Sequence, residues 1–600
     1  MELKKQTIVS ASNRVSLWLI LLILVVGSFF SALIPPLQSP DEADHIKRAY
    51  LLSKGTIILD APEGQSSGGM IDSGLAAYFT AYAVLPSKQD RKLSADEIDS
   101  AKSIKWTGIK EFSPAPGTGF YFPIIYMPQA MGLALGERLG LSIDTSYHLA
   151  RFMVIGSIAL LLLAAFKAYP VNPLTIALLL IPMSVFQFSS ASLDGVSTAL
   201  ATFSVAIFLR IANEKTNAHP WLFYALTLSV ALVATSRAHL LPLLALVLVA
   251  SFYIQKKKFF YVSAFALFFV LAWTVIASKT TVGFSGRVGA STASVAWFYI
   301  AHPLAFFDVL IATLSNNDVI RFYRESFLGV LGWLDTRFSA EAYKFLFICT
   351  ILIGLFSVSV KNLKTEWVAR LVILISAFAS ILLIFFALLV TWNRHPASLI
   401  EGVQGRYFLV PMIMVAYAIS GGGLKLYEGG FRKIAFLLLI LLGAFTIFST
   451  SRLLIERYYL AIEQPEQISV VMRPSVVLAK NEPITLFMSK GHEKNLQPLK
   501  RIGIMFGTYI RKNPGNAELR LATSDGHPLT IPFSLPDLAD NQYKYIELDS
   551  MPYSSGQIFH LTGGGISTWE AHEEKGSVAT CLVLEYTNGT TRYTRGCPRP

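Results

Sequence analysis

The 600 residues carry 53% hydrophobic and only 15% charged side chains, whereas a soluble globular chain carries about a quarter charged residues, so much of the apolar surface must face lipid. The formal net charge of +12 would suit nucleic acid in a soluble protein, yet here lysines and arginines gather in short connections between apolar runs, as the positive-inside rule requires. That excludes nucleic acid as a partner and makes membrane lipid the expected one. The cysteines are too few for a disulfide framework; with an extracytoplasmic C-terminus, Cys581 and Cys597 can pair, while Cys349 lies inside an apolar run.

In chain order, the apolar run from Leu17 to Ile34 follows Lys4, Lys5 and Arg14 without a small-residue cleavage pattern and reads as a retained anchor. At about 20 apolar residues per span, about eleven spans are predicted: 16–35, 150–168, 173–191, 195–211, 219–236, 240–255, 259–278, 343–360, 368–391, 407–421 and 433–451. With a cytoplasmic N-terminus, every inner connection is basic: Lys167, then Arg210 and Lys215, then Lys256, Lys257 and Lys258, then Lys361, Lys364 and Arg370, then Lys425, Arg432 and Lys433. An odd number of spans sets the C-terminus outside, together with a first external loop over 36–149 and another over 279–342. Within these loops Tyr121 to Gly140, interrupted by Pro123 and Pro128, and residues 292–314 read as interfacial helices. From about residue 471, strand-like runs from Arg501 to Tyr509, Glu518 to Ala522, Tyr543 to Leu548 and Ile558 to Leu561 alternate with the turn signals Asn513-Pro514-Gly515 and Asp525-Gly526. The predicted fold is a polytopic all-α membrane domain over residues 1–452, followed by an extracytoplasmic β-sandwich over 453–600.

The predicted inner loops hold scattered glutamates, Glu214, Glu366 and Glu428, but no P-loop and no paired carboxylates, so nothing there could hold a nucleotide-bound metal. The spans lack ionisable groups at mid-depth, which argues against an ion-coupled transporter. The outer edge differs. Ser39-Pro40-Asp41-Glu42-Ala43-Asp44-His45 follows directly on the first span, and on a helix begun at Pro40 the residues Asp41, His45 and Arg48 share a face. A carboxylate at the rim of a membrane cavity is partly desolvated, which raises its pKa and makes it a better base. Ser39 with Glu42 three residues on is equally a capping box, a reading that accounts for Ser39, Pro40 and Glu42 and gives no reason for His45. Arginines at the predicted outer face, Arg151, Arg237, Arg287, Arg321, Arg324, Arg394 and Arg406, suit phosphate or snorkel to headgroups. Arg151 and Arg406 are the functional candidates among them because each opens a span. Asp194, at an outer turn, is a second carboxylate or a helix cap; His239 and Tyr407 sit near the same face.

Pro40-Asp41-Glu42-x-x-His45, followed by Arg48-Ala49-Tyr50, resembles a bacterial membrane-protein family catalogued as domain of unknown function 2142. Pro182-Met183 to Asp194, Gly329-Val330-Leu331-Gly332-Trp333-Leu334-Asp335-Thr336 and Gly402-Val403-Gln404-Gly405-Arg406-Tyr407-Phe408 resemble its later motifs. That family is similar in organisation to the GT-C glycosyltransferases, including protein mannosyltransferases and the aminoarabinose transferases of lipid A. The resemblance implies a GT-C-like enzyme of the bacterial cytoplasmic membrane that draws on a polyprenyl-phosphate sugar and glycosylates an envelope glycan, lipid or protein outside. Asp41 or Glu42 would be the base, Asp41 by preference and with inversion, and His45 would orient base or acceptor. Arg151 or Arg406 would meet the donor phosphate, with Arg48, Asp194, Gln404 and Tyr407 lining the substrate. A divalent cation, magnesium or manganese, would fall to Asp41, Glu42 and Asp194. The alternatives are a flippase for lipid-linked glycans, disfavoured by the charge-free spans, and a non-catalytic membrane protein whose β-sandwich binds polysaccharide.

Overall fold

The computed structural model describes residues 2–282, 292–421, 430–460, 470–480, 482–488, 497–523, 527–573, 578–594 and 596–598. Arg287, Lys425, Glu428 and the Asp525-Gly526 turn lie outside the described residues. The chain divides into two units, Met1–Ala461 and Ile462–Pro600. The boundary falls beyond the expected 452/453 because the last long helix, Gly430–Tyr458, runs on; Arg457 near its end donates to Leu85 O at 2.8 Å and to Asp335 Oδ2 at 2.9 Å.

Each predicted span falls on helix, as apolar stretches must if their backbone groups are to be satisfied away from water. Among the described residues six helices are long and apolar enough to cross a membrane: Ile143–Ala168, Asp194–Asn217, Lys257–Thr280, Ala340–Ser357, Trp367–Thr391 and Lys433–Tyr458. The pair Thr292–Ala301 and Pro303–Leu314, bent by 99°, raises the count to seven if taken as one span. The expected count of about eleven is therefore not reached by length and composition. The apolar stretch Leu17–Leu33 of helix Glu2–Leu33 and the apolar helices Pro220–Ser236, Ala238–Ile254 and Gly405–Ile419 are shorter, and the segment expected over 173–191 is broken. Pro182 strips out an amide donor and holds Ile181 extended, at φ −61° and ψ 151°, the conformation favoured before proline. Pro173–Leu180 and Pro182–Phe188 result, and residues 181–202 are buried throughout. This segment is a wedge inside the helical unit.

Between helices Glu2–Leu33 and Ile143–Ala168, Glu42–Ser53 and Met127–Arg138 are short helices. Gly132 lets the second press on Ile143–Ala168: a Cβ there would come within 2.5 Å of Ala150 Cα. The two-residue strands Val330–Leu331 and Thr336–Arg337 form a small hairpin, and its turn donates Trp333 Nε1 to Leu37 O at 3.0 Å. The loop leading into Asp41 is thereby pinned by a motif almost three hundred residues away in sequence.

The second unit is β-rich. Among its described residues the strands form a seven-stranded and a four-stranded sheet, with antiparallel pairings. Alternate residues of both sheets, among them Ile504 and Leu584 of one and Leu519 and Ile558 of the other, share one apolar core, as period-two patterning requires. The predicted runs correspond to Leu499–Gly507, Gly515–Thr523, Gln542–Glu547 and Tyr553–Gly563. Cys581 and Cys597 form a disulfide and Cys349 is free and buried.

Candidate active site

The short helix after the first apolar helix begins at Glu42, with Asp41 as its N-cap residue in left-handed backbone, φ 63° and ψ 2°. Pro40 is thus not the first helical residue, and Asp41 stands off the helix that carries His45 and Arg48. Half of the expected capping box forms: Ser39 N donates to Glu42 Oε2 at 3.3 Å, while the buried Ser39 hydroxyl has no partner among the described residues and Asp41 caps nothing with its side chain.

From this point the two neighbouring carboxylates diverge. Glu42 is fully buried against Arg151. Its Oε1 accepts from Tyr147 Oη at 2.8 Å, Arg151 Nε at 3.1 Å and Ala191 N at 2.6 Å, and its Oε2 from Arg151 Nη2 at 3.1 Å. The remaining Arg151 donors close on Ser31 O, Ile34 O and Pro35 O at 2.8–3.2 Å, carbonyls that the end of helix Glu2–Leu33 leaves without intrahelical partners. Asp41 instead leaves 56% of its side chain exposed while its Oδ2 accepts from Arg406 Nη2 at 3.0 Å. Its Oδ1 has no hydrogen-bond partner among the described residues.

Arg406, only 4% exposed in its side chain, also donates through Nη1 to Asp194 Oδ2 at 3.3 Å. Arg237 pairs with the other oxygen of Asp194. A chain of alternating charge results, Asp41, Arg406, Asp194, Arg237, drawn from four separate segments. Each is held locally. Gly405 permits close packing on helix Asn317–Gly329, since a Cβ there would lie 2.1 Å from Phe327 N, and its own amide donates to Ser326 Oγ at 2.8 Å. The turn before Asp194 is clasped by Gln129 Nε2, at 3.2 Å from Ala191 O and 3.1 Å from Ser192 O, and by the bond from Ala191 N to Glu42. Aromatic rings back the cations, with Arg237 5.5 Å from the centroid of Tyr121 and Arg406 5.4 Å from that of Tyr407. His239 closes on Tyr407 at 6.4 Å between ring centroids.

His45 is buried with Nδ1 2.7 Å from Tyr126 Oη; burial pushes its pKa down to about 3 against the pull of Asp41, so the ring is neutral at physiological pH. Burial pushes the Asp41 carboxyl up, but the nearby charge and hydrogen bond of Arg406, with a smaller contribution from Arg237, outweigh it and hold Asp41 below the ordinary carboxylate value. The raised pKa expected of a desolvated rim carboxylate is therefore reversed, because the guanidinium came with it.

The structure thus gathers Asp41, His45, Asp194, Arg406 and Tyr407, adds Arg237 and Tyr121, and carries Glu42 and Arg151 into a separate closed pair. Arg48 lies apart, donating to Thr56 O at 3.1 Å and Ile57 O at 2.6 Å, and no longer shares a helix face with Asp41. Gln404 precedes Arg406 with its Oε1 buried and without a partner among the described residues. The carboxylates named for a cation do not converge: the oxygens of Glu42 are taken up by Arg151, Tyr147 and backbone amides, and a guanidinium separates Asp41 from Asp194. Among the described residues no group of three or more His, Cys, Asp or Glu is placed to hold a metal. Spacing carries no signal for Arg237, which follows an apolar helix as many snorkelling arginines do.

Among solved structures, the chain is similar to the arabinosyltransferase EmbB from Mycobacterium smegmatis, at 11% identity and a TM-score of 0.22, over 94% of this chain and 64% of that one. The chain thus spans less than two thirds of that relative's length, and the likeness is too distant to transfer any residue's role. No curated protein matches the chain. A family model described as "Predicted membrane protein (DUF2142)" matches residues 24–416, more than half of the chain and every element that builds the charge cluster, and the chain belongs to that family.

Proposed function

We propose that the chain is an inverting membrane glycosyltransferase that moves a sugar from a polyprenyl-phosphate donor to an envelope acceptor on the extracytoplasmic face. The observation that carries this reading is the unequal Asp41–Arg406 pair: a half-exposed carboxylate with one oxygen open, beside a buried guanidinium. That is a proton acceptor next to an anion stabiliser, the two parts glycosyl transfer from a phosphate requires. The acceptor hydroxyl oxygen attacks the anomeric carbon as its proton passes to Asp41 Oδ1. The bond from that carbon to the phosphate oxygen breaks, and the polyprenyl phosphate leaves against Arg406. The donor brings its own leaving group, so one carboxylate suffices and no step passes through a metal. His45, neutral and hydrogen-bonded to Tyr126, orients the turn that carries Asp41. Glu42 and Arg151 position Asp194 and the end of the first helix. The outward orientation of the site rests on the basic inner connections.

The test compares surface glycans and lipids from cells expressing wild-type or Asp41→Asn protein, with membrane insertion checked in both. Loss of one sugar branch in the variant is the expected result; wild-type glycan levels would remove Asp41 from the role of base.

A further inference from the structure

We propose that Arg237 and Arg406 form a two-point clamp for the phosphate group of the substrate, and that the Asp194 carboxylate fills this clamp until a phosphate displaces it. The inference rests on the glycosyl-transfer reading for the identity of the phosphate, but its evidence is separate. Each oxygen of Asp194 has its own guanidinium, Arg237 on Oδ1 and Arg406 on Oδ2. A carboxylate edge and a phosphate edge present paired oxygens to arginine in much the same way, which is why arginine binds both.

The carboxylate leaves the clamp incomplete. Arg406 Nε is buried and has no partner among the described residues, an expensive condition for a charged donor. Asp194 has no third oxygen to offer, whereas a phosphate has one. The clamp also keeps its shape without Asp194, since each guanidinium lies against an aromatic face, Tyr121 for Arg237 and Tyr407 for Arg406. Charge explains why a stand-in is useful. The four side chains sum to zero, so with Asp194 between them neither guanidinium is a bare cation. When Asp194 turns aside, the pair of arginines outweighs Asp41 and a phosphate anion is matched. When transfer is complete, Asp194 competes for the same donors and helps the phosphate product leave.

The clamp makes an unusual prediction, that removing an acidic residue from the site tightens binding of an anion. Full-length protein in nanodiscs is titrated with inorganic phosphate and, separately, with a polyprenyl monophosphate, without acceptor. Asp194→Asn is expected to bind phosphate at least about tenfold more tightly than wild type, and Arg237→Gln at least about tenfold more weakly. If Asp194→Asn proves too unstable to purify, Arg237→Gln, which removes one buried cation beside the retained carboxylate, decides the matter alone. A gain confined to the polyprenyl monophosphate identifies a lipid headgroup site, and an equal gain with inorganic phosphate identifies a site for phosphate itself; both support the clamp. Unchanged or weaker binding in Asp194→Asn, or unchanged binding in Arg237→Gln, overturns it. Neither measurement needs turnover, so failure of the clamp is distinct from failure of Asp41 as base, which is read from the glycan assay.

Discussion

Asp41 and Glu42 are neighbours in the chain, and each meets an arginine from a distant helix, yet the two pairs are opposite in kind. The Glu42–Arg151 pair is closed: it is fully buried, both carboxylate oxygens are matched, and the guanidinium is matched to Glu42 and to three backbone carbonyls. The Asp41–Arg406 pair is open, with a half-exposed carboxylate on one side and, on the other, an Nε without a partner among the described residues. A pair whose atoms are all matched can only hold elements together. A pair with unmatched atoms can accept a proton or an anion. The rotation between them comes from Asp41 itself, whose left-handed backbone turns successive side chains into different surroundings.

Breaking each pair in turn should separate the two roles. The largest effect is expected from Asp41→Asn, about 10²–10⁴-fold less transfer with the unfolding temperature of wild type; an equal fall in both would make Asp41 structural. Next, Arg151→Ala or Glu42→Gln strands a buried charge or breaks its pairing and should cost about 3–5 kcal/mol of stability, read as thermal unfolding in detergent. A wild-type melt for both variants would remove the closed pair from the structural role.

The pH profile sharpens the comparison from the open side. As the proposed base Asp41 must be ionised, and its pKa is held below the ordinary carboxylate value, so activity should persist on acidification until below about pH 3.9. In Arg406→Gln the lowering charge is gone while burial remains, so the acid limb should move to higher pH. Because His45 is pushed down to about 3, no limb is expected near pH 6.5, about where an unperturbed histidine titrates; one found there and abolished by His45→Gln would contradict the neutral ring. The smallest effect belongs to Ser39→Ala. A working capping box would lose about 0.5–2 kcal/mol, but the Ser39 hydroxyl is buried without a partner among the described residues, so stability should hold or rise.

Part of the site is legible because chemistry and position coincide in short motifs. The acidic start after the first apolar run identifies Asp41, and Gly405-Arg406-Tyr407 identifies both Arg406 and the glycine that lets it pack. The break at Ile181-Pro182 is written in the sequence too, though apolar content alone hides it. Arg151 and Arg48 mislead for a common reason: an arginine beside a predicted outer face looks the same in sequence whether its donors meet phosphate or carbonyls. Which they meet depends on where helix Glu2–Leu33 ends and how the chain returns at Thr56 and Ile57.

By itself the sequence determined that this is a membrane chain with a β-rich second unit, and that acidic and basic groups gather beside the first apolar helix. Those follow from composition, periodicity and local order, which act over tens of residues. Tertiary structure alone decided which carboxylate stays open and which arginines reach it. Asp41, Asp194, Arg237 and Arg406 come from segments up to 365 residues apart, and their pairing depends on helix packing that places one guanidinium between two carboxylates. Hydrogen-bond completeness, which separates the closed pair from the open one here, is a property of that packing and has no local sequence signature.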